Sequence, residues 1–166
     1  GGFASRMTVR ADYALTLPQE TEDLDLAPLL CGGVIGYRAL KVSAVEPGAR
    51  LGLYGFGASA HMAIQVAVNW GWEVYVFTRS EEHRSLAKKL GAVWTGETKF
   101  NPPVKMDGSI HFTPAGPTVL DGLRALEKGG TLALAGIYMT PIPDIDYQTY
   151  IYDVRNLCSV AKATRK

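Results

Sequence analysis

The side chains able to do chemistry in this 166-residue chain fall in four places. The first is the stretch Tyr54-Gly55-Phe56-Gly57-Ala58-Ser59-Ala60, which has the spacing G-x-G-x-x-G with alanine in the last position. In such a turn the first glycine permits the tight bend and the second lets the backbone approach a pyrophosphate. The third position only has to be small, so that helix and strand pack closely. Gly55, Gly57 and Ala60 suit those roles, and the N–H groups of Ala58 and Ser59 open a helix whose positive end would face the phosphates. The second place is Thr78-Arg79-Ser80. Thr78 lies 18 residues past Ala60, about where NAD-binding folds put a carboxylate on the ribose hydroxyls. A neutral hydroxyl followed by a guanidinium suits a 2′-phosphate instead, because no carboxylate repels it and arginine can pair with it bidentately. NADP(H) is therefore the expected cofactor. The plainer alternative makes Arg79 a solvated residue ahead of a helix, and Glu81 and Glu82 stand close enough to weaken the field. The third place is Cys31, which by composition alone reads as a small buried hydrophobe. The fourth is a scatter of three histidines, His61, His83 and His111, expected at the surface or in packing. Of these, His111 falls near the strand ends where a nicotinamide would pass.

A glycine turn binds a dinucleotide only when a strand precedes it and a helix follows. Residues 49–54 are short and mostly apolar after the turn Glu46-Pro47-Gly48, which predicts a buried strand. Residues 58–70 run apolar at Ala60, Ile64, Ala67 and Val68 and close at Gly71, which predicts a helix. The β-branched and aromatic run 73–77 completes a βαβ unit. Beyond it the pattern predicts a helix over 81–90 with Ser80 as N-cap and Gly91 as stop, and short strands over 92–95 and 109–112. A helix over 117–128 is expected to end at Gly129-Gly130, before strands over 131–135 and 156–161. Alternating strands and helices imply an α/β fold, a doubly wound, mostly parallel six-stranded sheet. Residues 26–166 are assigned to that domain. Residues 1–25, with strand-like runs at 7–10 and 13–16, read as leftover strands of a preceding domain, and the stop at Ala163-Thr164-Arg165-Lys166 reads as a cut just past the last strand.

Seventeen Lys and Arg balance sixteen Asp and Glu, a formal charge of +1. With no basic stripe, nucleic acid and membrane partners have no electrostatic support. No apolar run of about 18 residues predicts a membrane span, and no signal peptide is expected. Cys31 and Cys158 form no framework, so reduced thiols and a cytoplasmic location are expected.

Five ordered blocks carry a more specific likeness: the entry "GGFASRMTVRADYALTLP", then "LAPLLCGGVIGYRALK", "PGARLGLYGFGASAHMAIQVA", "LAKKLGA" and "LRALEKGGTLALAGI". Together they resemble the cofactor-binding Rossmann domain of the zinc-dependent alcohol dehydrogenases, in the medium-chain dehydrogenase/reductase superfamily, over essentially the whole chain. "NLCSVAKATRK" is similar to the end of that domain. The resemblance implies a parent enzyme that interconverts an alcohol with an aldehyde or ketone. It also implies that Cys31 is one ligand of a catalytic zinc whose other ligands lie outside this chain, since such a zinc takes three protein ligands and one open position. The family's histidine-glutamate pair, first cysteine, proton-relay hydroxyl and four-cysteine lobe have no counterpart here. Binding of cofactor without turnover is accordingly expected. Cofactor contacts are further expected from Phe112, from Gly136 and Ile137 after the fifth strand, and from Ile35, where the family often has a threonine that can hydrogen-bond. The run 138–153, rich in proline, tyrosine and aspartate, reads as a loop with a short strand or as a surface for homo-oligomers. Two other classes stay open: a zinc-free quinone reductase-type enzyme using NADPH, against which Cys31 argues, and a non-enzymatic dinucleotide-binding module. A methyltransferase is disfavoured by Thr78, where those folds want an acid.

Overall fold

In a computed structural model, residues 3–161 of the chain are described. The opening glycines and the expected chain end at Ala163 to Lys166 lie outside the described residues. The sheet is built from β1 (Arg50–Tyr54), β2 (Glu73–Phe77), β3 (Trp94–Gly96), β4 (Met106–His111), β5 (Leu126–Leu134) and β6 (Asn156–Ser159). Every pairing is parallel, and the spatial order is β3-β2-β1-β4-β5-β6. Helices α1 (Asp23–Leu26), α2 (Gly32–Val42), α3 (Ala58–Asn69), α4 (Glu81–Lys89), α5 (Pro117–Ala125) and α6 (Tyr147–Tyr150) complete the fold. None of these helices is long and apolar enough to cross a membrane.

Parallel sheets are covered on both faces, so their strands are apolar on both sides. Here Leu51, Leu53, Val74 and Val76 pack with Leu40 of α2, Ile64 of α3 and Ala87 of α4. On the other face, Tyr54, Phe77 and Leu132 pack with Val119 and Leu123 of α5. Tyr54 and Phe77 stack in parallel with ring centroids 4.2 Å apart. At the opposite end of the sheet from the glycine turn, Arg50 holds Asp107 with Nε at 2.9 Å, Nη2 at 2.7 Å and its own backbone N–H at 2.8 Å, which ties the start of β1 to the start of β4.

Several expected boundaries move. Gly71 and Gly91 do end their helices, each with positive φ (79° and 101°). Gly129 does not: α5 stops at Ala125, and β5 begins at Leu126. The ladder partners jump from Leu126 opposite Met106 to Thr131 opposite Gly108, so the four residues Glu127 to Gly130 of β5 bulge out of the ladder with β4. Gly129 (φ +77°) supplies the bend there. No strand forms between residues 3 and 25; that span holds a 3₁₀ turn at Ala11–Tyr13 and the short α1. Backbone at Arg10 and Ala14 is extended, but extended backbone becomes a strand only with a neighbour to pair with, and Val9 and Leu15 are exposed. In 138–153 the expected short strand is instead the helix α6, capped by Asp146 Oδ1 accepting from Thr149 N–H at 2.8 Å.

Candidate cofactor site

Where a doubly wound sheet reverses its strand order, the two neighbouring connections leave in opposite directions and a crevice opens at the carboxyl ends of the strands. Here that point lies between β1 and β4. A cleft of about 760 Å³ opens among the segments that follow the strands, a volume in the range of small-molecule sites.

The glycine turn forms one wall. Gly55 sits at φ +85°, and a methyl group added to it would crowd Thr113 N at 3.3 Å, so both conformation and space require glycine there. Phe56, 2 % exposed, anchors the turn in the core and packs on the His61 ring at 4.5 Å. Gly57 differs. Its φ is −96°, open to any residue, and a methyl group added to it would meet no atom within 4 Å. Folding therefore does not explain that glycine, and the empty space faces the cleft that Gly57, Ala58 and Ser59 line. Gly57 is also the N-cap of the 12-residue α3, and no side chain caps that end, so its first N–H groups are open to an anion. Ala60 is fully buried. Helices approach closely here too: a methyl group on Gly36 of α2 would stand 2.9 Å from Ser59 O.

The far wall and floor come from the ends of β4 and β5. Phe112, Thr113, Gly136 and Ile137 line the cleft, as do Cys31 and Ile35 from the start of α2. All of the candidates except Thr78, Arg79 and Ser80 thus meet in one cleft. Those three follow β2. Thr78, 8 % exposed, donates its N–H to Gly96 O at 2.7 Å. Ser80 Oγ accepts from His83 N–H at 3.2 Å as the N-cap of α4, which leaves the hydroxyl proton available. Arg79 is exposed, and among the described residues its guanidinium has no ion-pair or hydrogen-bond partner. Arg84 shapes this turn, donating to Thr78 O at 2.9 Å and Arg79 O at 3.1 Å while pairing with Glu81 at 2.6 Å. The sequence flags Arg84 only as a helical neighbour of Glu81; its reach back to the turn carries no local signal.

Cys31 is exposed at the N-terminus of α2. Its thiol fits as one metal donor and no more. Among the described residues no group of three or more His, Cys, Asp or Glu side chains is placed to hold a metal. Cys158 is half-buried on β6, where burial pushes its thiol pKa up. The histidines also sort themselves. His61 and His83 are half-buried with rings 5.7 Å apart, and burial, then the neighbouring His83, lowers the His61 pKa. His111 is fully buried and faces α5 through Thr118, whose Oγ1 lies 2.8 Å from Nε2. Thr118 Oγ1 also donates to Ala115 O at 2.7 Å, so one hydroxyl ties His111 to the start of α5. Its Nδ1 is buried without a partner. Burial lowers the pKa to about 4, so the ring is neutral at pH 7.

A doubly wound α/β domain with a glycine turn opening on its switch-point cleft defines the class. Comparison with known proteins narrows it. The zinc-binding dehydrogenase family model matches residues 58–162, and the chain belongs to that family. A "Probable alcohol dehydrogenase" of Mycobacterium tuberculosis is 48% identical over 99% of this chain and 48% of its own length. An alcohol dehydrogenase of Geobacillus stearothermophilus is 32% identical over 100% of this chain and 51% of its own length. Among solved structures, CAD from Helicobacter pylori complexed with NADP(H) is similar at TM-score 0.79 and 29% identity, covering 90% of this chain and 44% of that one. A cinnamyl alcohol dehydrogenase from Sorghum bicolor gives TM-score 0.79 at 26% identity, over 92% of this chain and 45% of that one. The chain spans about half the length of the curated relatives it matches.

Proposed function

We propose that this chain is the NADP(H)-binding domain of a zinc-type alcohol dehydrogenase-like oxidoreductase whose whole protein interconverts an alcohol and an aldehyde or ketone. The observation that carries the reading is Gly57, a glycine with an ordinary φ and open space at a helix N-terminus inside the cleft. A bare backbone that the fold does not require is what a pyrophosphate needs in order to approach. The N–H groups of Ala58 and Ser59 would hold the phosphates, and the walls at Phe112, Gly136, Ile137 and Ile35 would hold the nicotinamide half. The free Arg79 guanidinium, with the Thr78 and Ser80 hydroxyls, would take the 2′-phosphate. The NADP(H) complex of a relative 29% identical supports that preference. When bound, the cofactor accepts or supplies hydride. Cys31 would contribute one thiolate to a zinc, and a single donor makes no site among the described residues.

The test is Gly57→Val with titration of NADPH into the 166-residue chain, followed by nicotinamide fluorescence. The wild type is expected to bind without oxidising alcohols. The variant should keep its circular dichroism spectrum and thermal midpoint and lose binding by at least about a hundredfold, because a branched side chain fills the pyrophosphate's space. A variant that binds as tightly as the wild type would falsify the reading.

A further inference from the structure

The two loops that wall the far half of the cleft are joined by a clasp around one side chain, Thr140. Its Oγ1 accepts the backbone N–H of Gly116 at 2.9 Å, and its own N–H donates to Pro114 O at 2.9 Å. The hydroxyl proton points the same way, with Pro114 O at 3.4 Å. The segment 112–116 after β4 and the segment 136–141 after β5 are therefore held together by bonds from one residue to both sides of Ala115. Sterics match. Gly116 is buried, and a methyl group added to it would overlap Thr140 O and Pro141 O, each at 2.3 Å, so the segments lie closer than any other residue allows. The loop after β4 is braced from behind as well: Ala115 N–H donates to Thr113 Oγ1 at 3.1 Å, and Thr118 Oγ1 to Ala115 O at 2.7 Å. Thr140 itself is exposed, outside the core, and does not line the cleft. Core packing does not account for its place. The clasp's effect falls on Phe112, Thr113, Gly136 and Ile137, which do line the cleft.

In a doubly wound site the adenosine half lies toward β2 and the pyrophosphate lies at the helix after β1, which leaves the nicotinamide half to β4 and β5. From this geometry, and resting on the dinucleotide reading above, we infer that Thr140 is a positioning residue for the nicotinamide half-site: it sets the separation of the two walls between which that ring is held. Without its hydroxyl the Gly116 N–H loses its partner, and the walls sample separations in which the ring is not gripped. Apparent affinity then falls in proportion to the competent fraction.

The experiment compares wild type, Thr140→Val and Thr140→Ser for binding of NADPH and of adenosine 2′,5′-bisphosphate, which lacks the nicotinamide half. NADH and ADP serve as the pair if NADH is the tighter ligand. Valine keeps the shape and removes the hydroxyl; serine keeps the hydroxyl. Thr140→Val is expected to weaken the dinucleotide roughly tenfold and to leave the adenosine fragment within about twofold, with Thr140→Ser close to wild type. Amide hydrogen exchange at Gly116 should quicken in the valine variant alone. Equal loss of both ligands in Thr140→Val would make Thr140 a merely structural residue and overturn the inference, as would unchanged dinucleotide affinity. A wild type that binds neither member of either pair would overturn the dinucleotide reading itself, and this inference with it.

Discussion

At the end of β2 a guanidinium stands in solvent with no partner among the described residues. Arg79 has neighbours of its own sign and of the opposite one, yet Arg84 takes Glu81 and also fixes the carbonyls of Thr78 and Arg79. That division of labour leaves one arginine to build the turn and one free to meet a phosphate. A hydrogen bond to a charged group nets about 1.5–3 kcal/mol, so Arg79→Ala should weaken NADPH by roughly ten- to a hundredfold and hardly change NADH. Thr78→Asp works from the other side, supplying an acceptor for the ribose hydroxyls and repelling the phosphate. The double variant should prefer NADH. Fluorescence titration at fixed ionic strength decides the matter, and a wild type that binds both cofactors equally returns Arg79 to the ordinary surface. The turn and its flanks were legible in sequence because Gly55, Gly57 and Ala60 must be adjacent to act. Arg84 was not, since a side chain reaching back six residues leaves no mark on composition. His111 is a packing residue at the end of β4, as expected, but its partner was not legible: in Ser109-Ile110-His111-Phe112 nothing announces the hydroxyl of Thr118 that meets it.

Elements obey local rules where one residue decides and depart where a partner decides. Gly71 and Gly91 mark helix ends because a left-handed residue is needed there. Glu127 to Gly130 carry the same kind of signal, but the pairing of Leu126 with Met106 recruits that stretch into β5. The edge bounds of β3 and β4 likewise follow their neighbours rather than their own composition. One helix end breaks the rule in a testable way. After α2, Ala44 holds φ +52° and is exposed. Left-handed backbone costs alanine about 1–2 kcal/mol, more than the roughly 0.5–1 kcal/mol by which glycine's chain entropy opposes folding. Ala44→Gly should therefore stabilise by about 0.5–1 kcal/mol, raising the thermal midpoint by about 1–4 °C. Ala87→Gly, buried within α4, should lower it. If both substitutions lowered the midpoint, the left-handed cap at Ala44 would be wrong.

For the molecule as a whole, titratable groups that are partly or fully buried set how stability follows pH. The Asp107 carboxylate is held below its usual pKa by the Arg50 hydrogen bond, against the effect of burial. It contributes above the unfolded carboxylate range and is lost only as pH falls through its lowered folded value. Asp121, pushed up by burial, works in the opposite sense, in a range that begins near the unfolded carboxylate pKa of about 3.9. His111 acts between about pH 4 and pH 6.5, because the folded chain keeps the ring neutral down to about pH 4 while the unfolded chain protonates it near 6.5. Above pH 6.5 both states hold the neutral ring and the cost is absent. As pH falls from 6.5 toward 4 the unfolded state binds the extra proton, so stability drops by about 1.4 kcal/mol per pH unit, roughly 3 kcal/mol in all. His61, lowered by burial and by His83, adds in the same direction. Urea unfolding at pH 7.5 and pH 5.0 should show the wild type losing about 2 kcal/mol or more between them. His111→Gln, less stable throughout, should lose distinctly less over the same interval, because the group that takes up the proton is gone. Equal wild-type stability at the two pH values would mean that His111 titrates normally, and that it is not sealed beneath α5 against Thr118.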